Sequence, residues 1–302
     1  MNVGLVGFGF GGQVFHAPII RAVAGLHLTT IVRRSGEPDS RYPDVAFVRS
    51  VDELLARPID LVVVVTSNTS HHPIARQCLL AGRHVVVDKP FTTTVAEAED
   101  LVQVAKQSGR VLSVYQDRRY TGDFVTVQRV VADGVLGRIV SYEAHFDRFR
   151  LELRPGAWRE QPLPDAFDVT LRYPRMRATL RGSMLAQPLA PSFAVQGTQG
   201  SFIKYGLDPQ EAALKAGHTP DEANWDAEPS EMYGKLTTPE GTRTIPTTPS
   251  SFTHYYENVR DAILQKVQLA VTPEHAVAVM RGLVLAVASS QERRVLPWSA
   301  SR

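Results

Sequence analysis

The chain begins with MNVGLVGFGFGGQVFHAPII, residues 1–20, in which five glycines fall within a dozen residues, most of them directly after an apolar run. The apolar residues predict a buried β-strand over 2–7, and the next pattern predicts a helix over 11–24. Three of the glycines have the spacing G-x-G-x-x-G and link these two elements, at Gly7, Gly9 and Gly12. A strand, a glycine turn and a helix in that order predict a unit that binds a dinucleotide.

Each glycine has a physical reason in such a turn. Gly7 allows a tight bend, Gly9 lets the backbone approach a pyrophosphate, and Gly12 lets the helix pack closely on the strand. Free N–H groups at the start of the helix then face the anion. Phe10 lies in the same turn and is expected to contact the cofactor. A glycine-rich turn that binds nothing is the alternative.

The first third of the chain alternates short apolar runs with helical patterns. Further strands are predicted at 27–32, 61–66, 84–88 and 111–115, and helices at 51–56, 71–81 and 94–108. Strands made almost entirely of Val, Ile and Leu are buried on both faces, which is typical of a parallel sheet covered by helices. We therefore predict an α/β fold with a Rossmann-type doubly wound parallel sheet, in a dinucleotide-binding domain over residues 1–120.

Residues 121–302 have a different pattern and predict a second domain of the α+β class. Alternating strands are expected at 139–149, 167–173, 176–185, 192–197 and 201–205, and they predict a mostly antiparallel open sheet. Helices are expected at 122–133, 252–267 and 273–290. Residues 206–250 are rich in Pro, Gly and Thr, so we expect little regular structure there apart from a hairpin around 234–245.

The composition argues against several classes of partner. The 302 residues carry a net charge of +2 without a basic run, so nucleic acid is not expected. Apolar stretches fall far short of the roughly 20 residues of a membrane helix, so no membrane partner is expected. Cys78 is the single cysteine and no signal peptide is evident, which predicts a cytoplasmic location. No set of His, Cys and carboxylates has metal-ligand spacing, so no metal is expected.

The end of the second strand, IVRRSG, bears on which nicotinamide dinucleotide binds. An NAD site usually has Asp or Glu there, which accepts a hydrogen bond from the ribose 2′-OH. This chain has Arg33 and Arg34 instead, with no acid before Glu37. Guanidinium groups suit a 2′-phosphate, so the sequence predicts NADP in preference to NAD. Two solvated arginines at a strand end are the alternative.

Two loops carry a family resemblance. TSNTSHHP (66–73) and VVVDKPFTTT (85–94) resemble the T-P-N-x-x-H and E-K-P loops of the Gfo/Idh/MocA family of NAD(P)-dependent oxidoreductases. The resemblance extends over nearly the whole chain, through YQDRRY (115–120), GVLGRIVSYEAHFDRFR (134–150), GSFIKYGLDPQEAALKAG (200–217) and TPEHAVAVMRGL (272–283).

The resemblance implies roles for individual residues. It places Thr66, Asn68 and His71 along the ribose and nicotinamide, and Lys89 and Pro90 beside the reacting ring. The resemblance also places four residues next to the cofactor or substrate: Gln116, Arg118, Trp158 and Arg159. The sequence departs from the family pattern at three of these loop positions, where Asp88 replaces the usual Glu, Ser67 the usual Pro, and Asp117 the Asn common in close relatives.

Lys89 is the predicted catalytic residue. It follows a buried parallel strand, and ligands of open α/β sheets bind at the carboxyl ends of such strands. An amine there can accept a hydroxyl proton, or donate one to a carbonyl, while hydride moves. Help of this kind typically accelerates a reaction about 10²–10⁴-fold. A surface lysine before a proline, without a catalytic role, is the alternative.

One segment of the family pattern is missing. In the family, the stretch that resembles RPGAWRE (154–160) continues into a helix with D-x-G-x-H-x-x-D, which supplies a catalytic His and a substrate-binding Asp. Here the chain passes from Trp158 to the strand at 167–173, and no D-x-G-x-H occurs. Three explanations stay open: residues absent from the printed sequence, a deletion that keeps the cofactor and loses turnover, or a site in which Lys89 suffices with help from His145, Asp147 or Arg148.

Two functions follow from these patterns. The first is an NADP-preferring dehydrogenase or reductase that transfers hydride between nicotinamide and a hydroxyl or carbonyl carbon of a sugar, cyclitol or related polyol. The second is an NAD(P)-binding sensor or regulatory protein without turnover. The resemblance also implies a homo-oligomer, a dimer or tetramer, formed through the second-domain sheet.

Overall fold

The computed structural model of the chain describes residues 1–151 and 165–298. These residues form two compact units. The first unit contains residues 1–118, 210–225 and the chain from 251 onward, and the second contains 119–209 and 226–250. The chain therefore leaves the first unit after residue 118 and returns to it twice.

The strands and helices are given in chain order. The strands are β1 Asn2–Val6, β2 His27–Val32, β3 Ala46–Val48, β4 Leu61–Val64, β5 His84–Val87, β6 Leu112–Val114, β7 Ile139–Asp147, β8 Ala166–Tyr173, β9 Met176–Ser183, β10 Phe193–Gly197, β11 Ser201–Lys204, β12 Gly234–Thr238 and β13 Gly241–Ile245. The α-helices are α1 Ala17–Ala22, α2 Val51–Leu55, α3 Asn68–Leu80, α4 Val95–Ser108, α5 Gly122–Ala132, α6 Gln210–Ala216, α7 Thr253–Ile263 and α8 Pro273–Glu292.

The first unit is built on a six-stranded parallel sheet with the order β3-β2-β1-β4-β5-β6. Its strands are buried because they consist of Val, Leu and Ile; every residue of β4, for example, is buried. The order reverses between β1 and β4, which creates the crevice where doubly wound folds bind ligands. The predicted Rossmann-type sheet is confirmed. Strand β3 was not predicted, because its three residues are too few to show a pattern.

Local signals account for the helix boundaries of the first unit. Helix α4 begins with a capping box, in which the Thr94 hydroxyl accepts from the Glu97 N–H at 3.2 Å and the Glu97 carboxylate accepts from the Thr94 N–H at 3.1 Å. Helix α8 begins with Thr272 as N-cap and Pro273 in its first turn. Helix α8 buries Ala276, Val277 and Met280 in the same apolar core as α4. Although the linear division at residue 120 grouped α7 and α8 with the second domain, in space they belong to the first unit.

The second unit contains a seven-stranded sheet with the order β13-β12-β11-β10-β7-β9-β8. All neighbouring strands are antiparallel except β7 and β9, which are parallel. Helix α5 packs against this sheet, and the apolar core includes Val127, Val130, Leu136, Val195, Phe202 and Leu236. The predicted mostly antiparallel open sheet is confirmed.

The segment 206–250 is more regular than its composition predicted. The hairpin expected around 234–245 is present as β12 and β13, but a helix, α6, occupies Gln210–Ala216. This seven-residue helix is too short for a clear helical period. It is fixed instead by a tertiary contact, in which the Phe252 N–H donates to the side-chain oxygen of Gln210 at 2.7 Å.

Candidate functional site

The three glycines of the turn after β1 have different packing environments. Gly7 has a φ of +101°, and a Cβ there would lie 2.3 Å from the Val65 carbonyl oxygen. A Cβ on Gly12 would lie 2.3 Å from the carbonyl oxygen of Gly7. Gly9 differs from both, because a Cβ there would have no atom within 4 Å. Backbone packing thus requires two of the glycines, while the third borders open space that a ligand can occupy.

The helix after this turn is α-helical at residues 10–11, continues as a π-helical segment, Gly12–His16, and becomes α1 at Ala17. The sequence predicted an ordinary helix over this stretch. Gln13 links the segment to the turn by a hydrogen bond, because its side-chain amide donates to the Phe8 carbonyl at 2.9 Å. π-helical segments within helices frequently occur at functional sites. Phe10 is exposed and makes an edge-on contact with Phe15.

The predicted 2′-phosphate residues lie at the end of β2. Arg33 is half-buried, its guanidinium lies 6.0 Å from the Phe8 ring centroid, and its Nη1 donates to the Glu37 carbonyl at 2.5 Å. Phe8 belongs to the glycine turn, so Arg33 adjoins the expected cofactor site. Arg34 is exposed to solvent.

A third arginine joins this group, and the sequence analysis missed it. Arg41 donates to Asp39 through Nε and Nη2, at 3.0 and 2.7 Å, and Nη2 also donates to the Gln13 side-chain oxygen at 2.9 Å. The hydrogen bonds from Arg41 lower the pKa of Asp39 to about 2. These contacts join the loop after β2 to the helix after the glycine turn. Arg41 is separated from Arg33 by seven residues without regular structure, so no motif signalled it.

The loops after β4 and β5 are joined by a buried histidine. His71 is 1% exposed, and its two ring nitrogens lie 3.1 Å from the Thr66 carbonyl oxygen and 2.9 Å from the Pro90 carbonyl oxygen. Thr66 precedes α3, and Asn68 is its half-buried first residue. The Lys89–Pro90 peptide bond is cis. His71 therefore supports both loops that the family resemblance singled out.

Lys89 extends from the carboxyl end of β5 toward the loop after β6. Its Nζ lies 3.3 Å from Asp117 Oδ1 and 6.0 Å from the centroid of the Tyr115 ring. The Lys89 side chain is 52% exposed, whereas that of Asp117 is 8% exposed. The ammonium group therefore faces solvent on one side and a buried carboxylate on the other.

Asp88 faces the interior of the first unit. Its Oδ1 lies 3.6 Å from Nε2 of His16, whose Nδ1 lies 2.6 Å from the hydroxyl of Tyr256. The same oxygen accepts from the Lys89 backbone N–H at 2.8 Å. Burial raises the pKa of Asp88, but His16 and Lys89 together outweigh it, so the pKa lies below its ordinary value. His16 and Tyr256 were not assigned to the site from the sequence, because they are 240 residues apart.

The remaining predicted residues occupy several places. Gln116 is half-buried after β6, and Arg118 forms an ion pair with Glu211 of α6. Trp158 and Arg159 lie outside the described residues.

The predicted substrate residues of β7 and the loop that follows it belong to the second unit. His145 Nδ1 lies 3.4 Å from Asp147, and the Arg148 guanidinium lies 5.0 Å from the Phe146 ring centroid. The structure therefore places His145 and Asp147 together.

Residues 1–151 and 165–298 contain neither a cluster of metal ligands nor a helix that could span a membrane. No group of three or more His, Cys, Asp or Glu side chains in these ranges is arranged to hold a metal ion. No helix within them is both long and apolar enough to cross a bilayer.

Two curated relatives and two solved structures resemble this chain over nearly their whole length. The uncharacterized oxidoreductase YdgJ of Escherichia coli K12 is 36% identical over 343 residues, with 98% of each chain covered. The scyllo-inositol 2-dehydrogenase (NADP(+)) IolW of Bacillus subtilis is 32% identical over 342 residues, covering 98% of this chain and 95% of that protein. The solved structure of the oxidoreductase yvaA from Bacillus subtilis has a TM-score of 0.92 at 33% identity and covers 99% of this chain and 100% of that one. An oxidoreductase structure from Bacteroides fragilis has a TM-score of 0.91 at 36% identity, with 99% of both chains covered.

The sequence alignments are longer than this chain. They extend over 343 and 342 positions, whereas the chain has 302 residues. YdgJ and IolW therefore contain residues without a counterpart here, as the missing D-x-G-x-H segment leads one to expect.

Two family models together match most of the chain. The model of an oxidoreductase family with an NAD-binding Rossmann fold matches residues 1–116, and the model of the C-terminal alpha/beta domain of that family matches residues 156–298. With the near full-length relatives, these matches confirm the resemblance seen in the loops. The chain belongs to the Gfo/Idh/MocA family of NAD(P)-dependent oxidoreductases.

Proposed function

We propose that this protein is an NADP-preferring oxidoreductase that transfers hydride between nicotinamide and a hydroxyl or carbonyl carbon of a sugar, cyclitol or related polyol. One observation carries the proposal. The open glycine turn, the Thr66 loop and Lys89 follow β1, β4 and β5, three neighbouring strands of one parallel sheet. The glycine turn proposed to bind the phosphates and the Lys89 amine thus share the carboxyl edge of that sheet, where such folds bind ligands.

The residues of the turn fit a dinucleotide. The space beside Gly9 is free of protein atoms within 4 Å of a Cβ position, so backbone amides there can meet a pyrophosphate. Arg33, Arg34 and Arg41 follow β2, where a 2′-phosphate would lie, and Arg41 contacts the helix after the turn. A bound nicotinamide would supply or accept the hydride.

Lys89 is proposed to handle the proton of the reacting hydroxyl. Its side chain is half exposed at the carboxyl edge of the sheet, so a substrate can reach it. As the neutral amine it would take the hydroxyl proton during oxidation, and as the ammonium it would return a proton during reduction. A polyol substrate is favoured because IolW, a relative of 32% identity, is named an inositol dehydrogenase.

The cofactor preference is tested by equilibrium titration with NADP and NAD. Arg34→Ala removes an exposed guanidinium that the proposal places on the 2′-phosphate. Each charge-assisted hydrogen bond contributes about 1.5–3 kcal/mol, so NADP affinity should fall roughly ten- to 150-fold while NAD affinity stays the same. The control is Arg57→Ala, which removes the same charge ahead of β4, at the opposite edge of the sheet. Equal affinity of the wild type for both cofactors would contradict the preference.

Turnover is tested with NADP and a panel of polyols and cyclitols. Lys89→Ala should reduce kcat far more than it weakens cofactor binding, whereas Lys106→Ala, which removes an exposed lysine of α4, should change neither. Unchanged turnover in Lys89→Ala would exclude this lysine from the mechanism.

A second function, an NAD(P)-binding sensor without turnover, is favoured by one observation. The sequence contains no D-x-G-x-H motif, which supplies the second catalytic group in the resembled family. NADP binding without reduction or oxidation of any member of the panel would support this function over the first. The intact mass of the purified chain shows whether the segment is truly missing.

We also propose a homo-oligomer formed through the sheet of the second unit. The side chains of Phe146, Phe167, Leu180 and Tyr173 lie on one face of β7, β9 and β8 by strand register, and all are exposed. Exposed apolar patches of this kind often mark protein interfaces. Light scattering after gel filtration should show a dimer or tetramer, and Phe167→Ser should shift it toward the monomer. A monomeric wild type would contradict the proposal.

A further inference from the structure

We propose that Asp117 is a positioning residue that holds Lys89 as the ammonium, so that the site rests ready to donate a proton to a carbonyl oxygen. This inference rests on the proposed role of Lys89. It adds which protonation state the lysine has before a substrate binds. Asp117 follows β6, the strand beside β5, and so lies at the same edge of the sheet as the lysine.

The buried carboxylate oxygen of Asp117 lies next to the Lys89 ammonium. Asp117 Oδ1 is buried and has no hydrogen-bond partner with good geometry among the residues that the structure describes. The Lys89 ammonium lies 3.3 Å from it, within ion-pair distance. A buried carboxylate needs a compensating charge, and the protonated lysine supplies it. An opposite charge at this distance favours the charged form of both groups.

The other charged and titratable groups around the pair have partners of their own or are neutral. Asp88 faces His16, and Arg118 is paired with Glu211. Burial, the largest influence, raises the pKa of Tyr115 and of Tyr256 well above the ordinary tyrosine value, so both rings stay neutral. The titratable groups that interact with the pair are Asp88 and Tyr115 beside Lys89, and Tyr115 and Tyr256 beside Asp117. Around these groups, His16 of the π-helical segment lies against Asp88, Glu211 of α6 pairs with Arg118, and Tyr255 of α7 packs on Tyr115.

The proton balance follows from this state. In carbonyl reduction, hydride adds to the carbon and the oxygen gains negative charge, the Lys89 ammonium gives it one proton, and the neutral amine then recovers a proton from solvent. In oxidation the amine must first lose its proton to solvent before it accepts the hydroxyl proton. Because Asp117 favours the ammonium, oxidation should require a higher pH than reduction.

The first experiment reads protonation directly, without cofactor or substrate. Trace acetylation with acetic anhydride at pH 8, quantified at each lysine by peptide mass spectrometry, reports the unprotonated fraction of the amine. Asp117→Asn removes the charge at nearly constant shape and should raise the labelling rate of Lys89 about tenfold, the low end of the range for a nearby charge because Lys89 is half exposed. Asp117→Glu keeps the charge and should label at close to the wild-type rate.

Lys106 is the internal control. It pairs with Glu274 at 3.0 Å on the surface, so its labelling rate should not change in either variant. Above pH 10 the labelling rates of Lys89 in the wild type and in Asp117→Asn should converge, because the amine progressively loses its proton in both proteins. Equal labelling at pH 8, a tenfold difference that persists at high pH, or a parallel increase at Lys106 would each overturn the proposal.

A second experiment separates this inference from the proposed function. With any polyol that the wild type oxidises, the midpoint of the rising kcat/KM profile should move to lower pH by about one unit in Asp117→Asn, while NADP affinity is retained. If the protein turns over no member of the polyol panel, the proposed function is contradicted. The acetylation of Lys89 then still tests whether Asp117 stabilises the ammonium. Faster turnover with an unmoved midpoint would overturn the role of Asp117.

Discussion

The buried ion pair of the second unit offers a sharp test of how that unit is held together. Lys204, at the end of β11, is 0% exposed and donates to Glu228 at 2.7 Å and to the Met232 carbonyl at 2.8 Å. Glu228 is 7% exposed, and its other oxygen accepts from the Thr247 hydroxyl. Lys204→Met removes the ammonium and leaves the carboxylate buried with one neutral donor.

The expected loss of stability in Lys204→Met comes from the desolvation of the carboxylate that remains. Removing one partner of a buried pair destabilises a protein by about 3–5 kcal/mol, because the remaining charge is uncompensated. We expect about 3 kcal/mol here, since the Thr247 hydroxyl still donates to Glu228. That is a large share of the about 5–15 kcal/mol by which domains are stable. Replacing both charges, in Lys204→Met with Glu228→Gln, should recover most of the loss.

The assay is urea unfolding combined with hydrogen exchange of β11 and β12, which report on the second unit alone. With a denaturant slope of about 1–3 kcal/mol per molar, the midpoint should fall by about 1–3 M. The matched control is Lys235→Met on the adjacent strand, because Lys235 is exposed and its ammonium donates to the Thr244 hydroxyl. Its effect should stay within about 0.5 kcal/mol. A midpoint for Lys204→Met equal to that of the control would refute the reasoning, as would a double variant no more stable than Lys204→Met.

Three further predictions concern the first unit. Gly12→Ala should destabilise this unit by about 1–3 kcal/mol, because the Cβ would lie 2.3 Å from a backbone oxygen. Gly9→Ala should keep the wild-type melting temperature and still lose dinucleotide affinity, because its Cβ would meet no protein atom within 4 Å. An equal fall in melting temperature in the two variants would contradict this. Thr94→Ala removes the cap of α4 and should cost about 1 kcal/mol in urea unfolding, while Thr69→Ala, exposed on α3, should cost nothing. Burial raises the pKa of Cys78 to about 12, so iodoacetamide at pH 8.5 should label the thiol only after unfolding, and rapid labelling of the native protein would show the site to be open.

Much of the first unit could be predicted because its signals are local. The glycines of the opening turn stand directly between a strand and a helix, so Gly7 and Gly12 were identifiable before their contacts were known. Lys89 could be singled out because it follows a buried strand within a family motif. Strand β3 and helix α6 could not be predicted, since three and seven residues are too few to establish a period.

The sequence alone determined the fold class, the glycine turn and the candidate catalytic lysine, because apolar periodicity and short motifs act over neighbouring residues. Only the tertiary structure decided the charges around that lysine. Asp117 meets Lys89 across two adjacent strands, and His16 meets Tyr256 across 240 residues. Burial raises the pKa of Tyr256 well above its ordinary value, and that burial depends on chain segments that are distant in sequence.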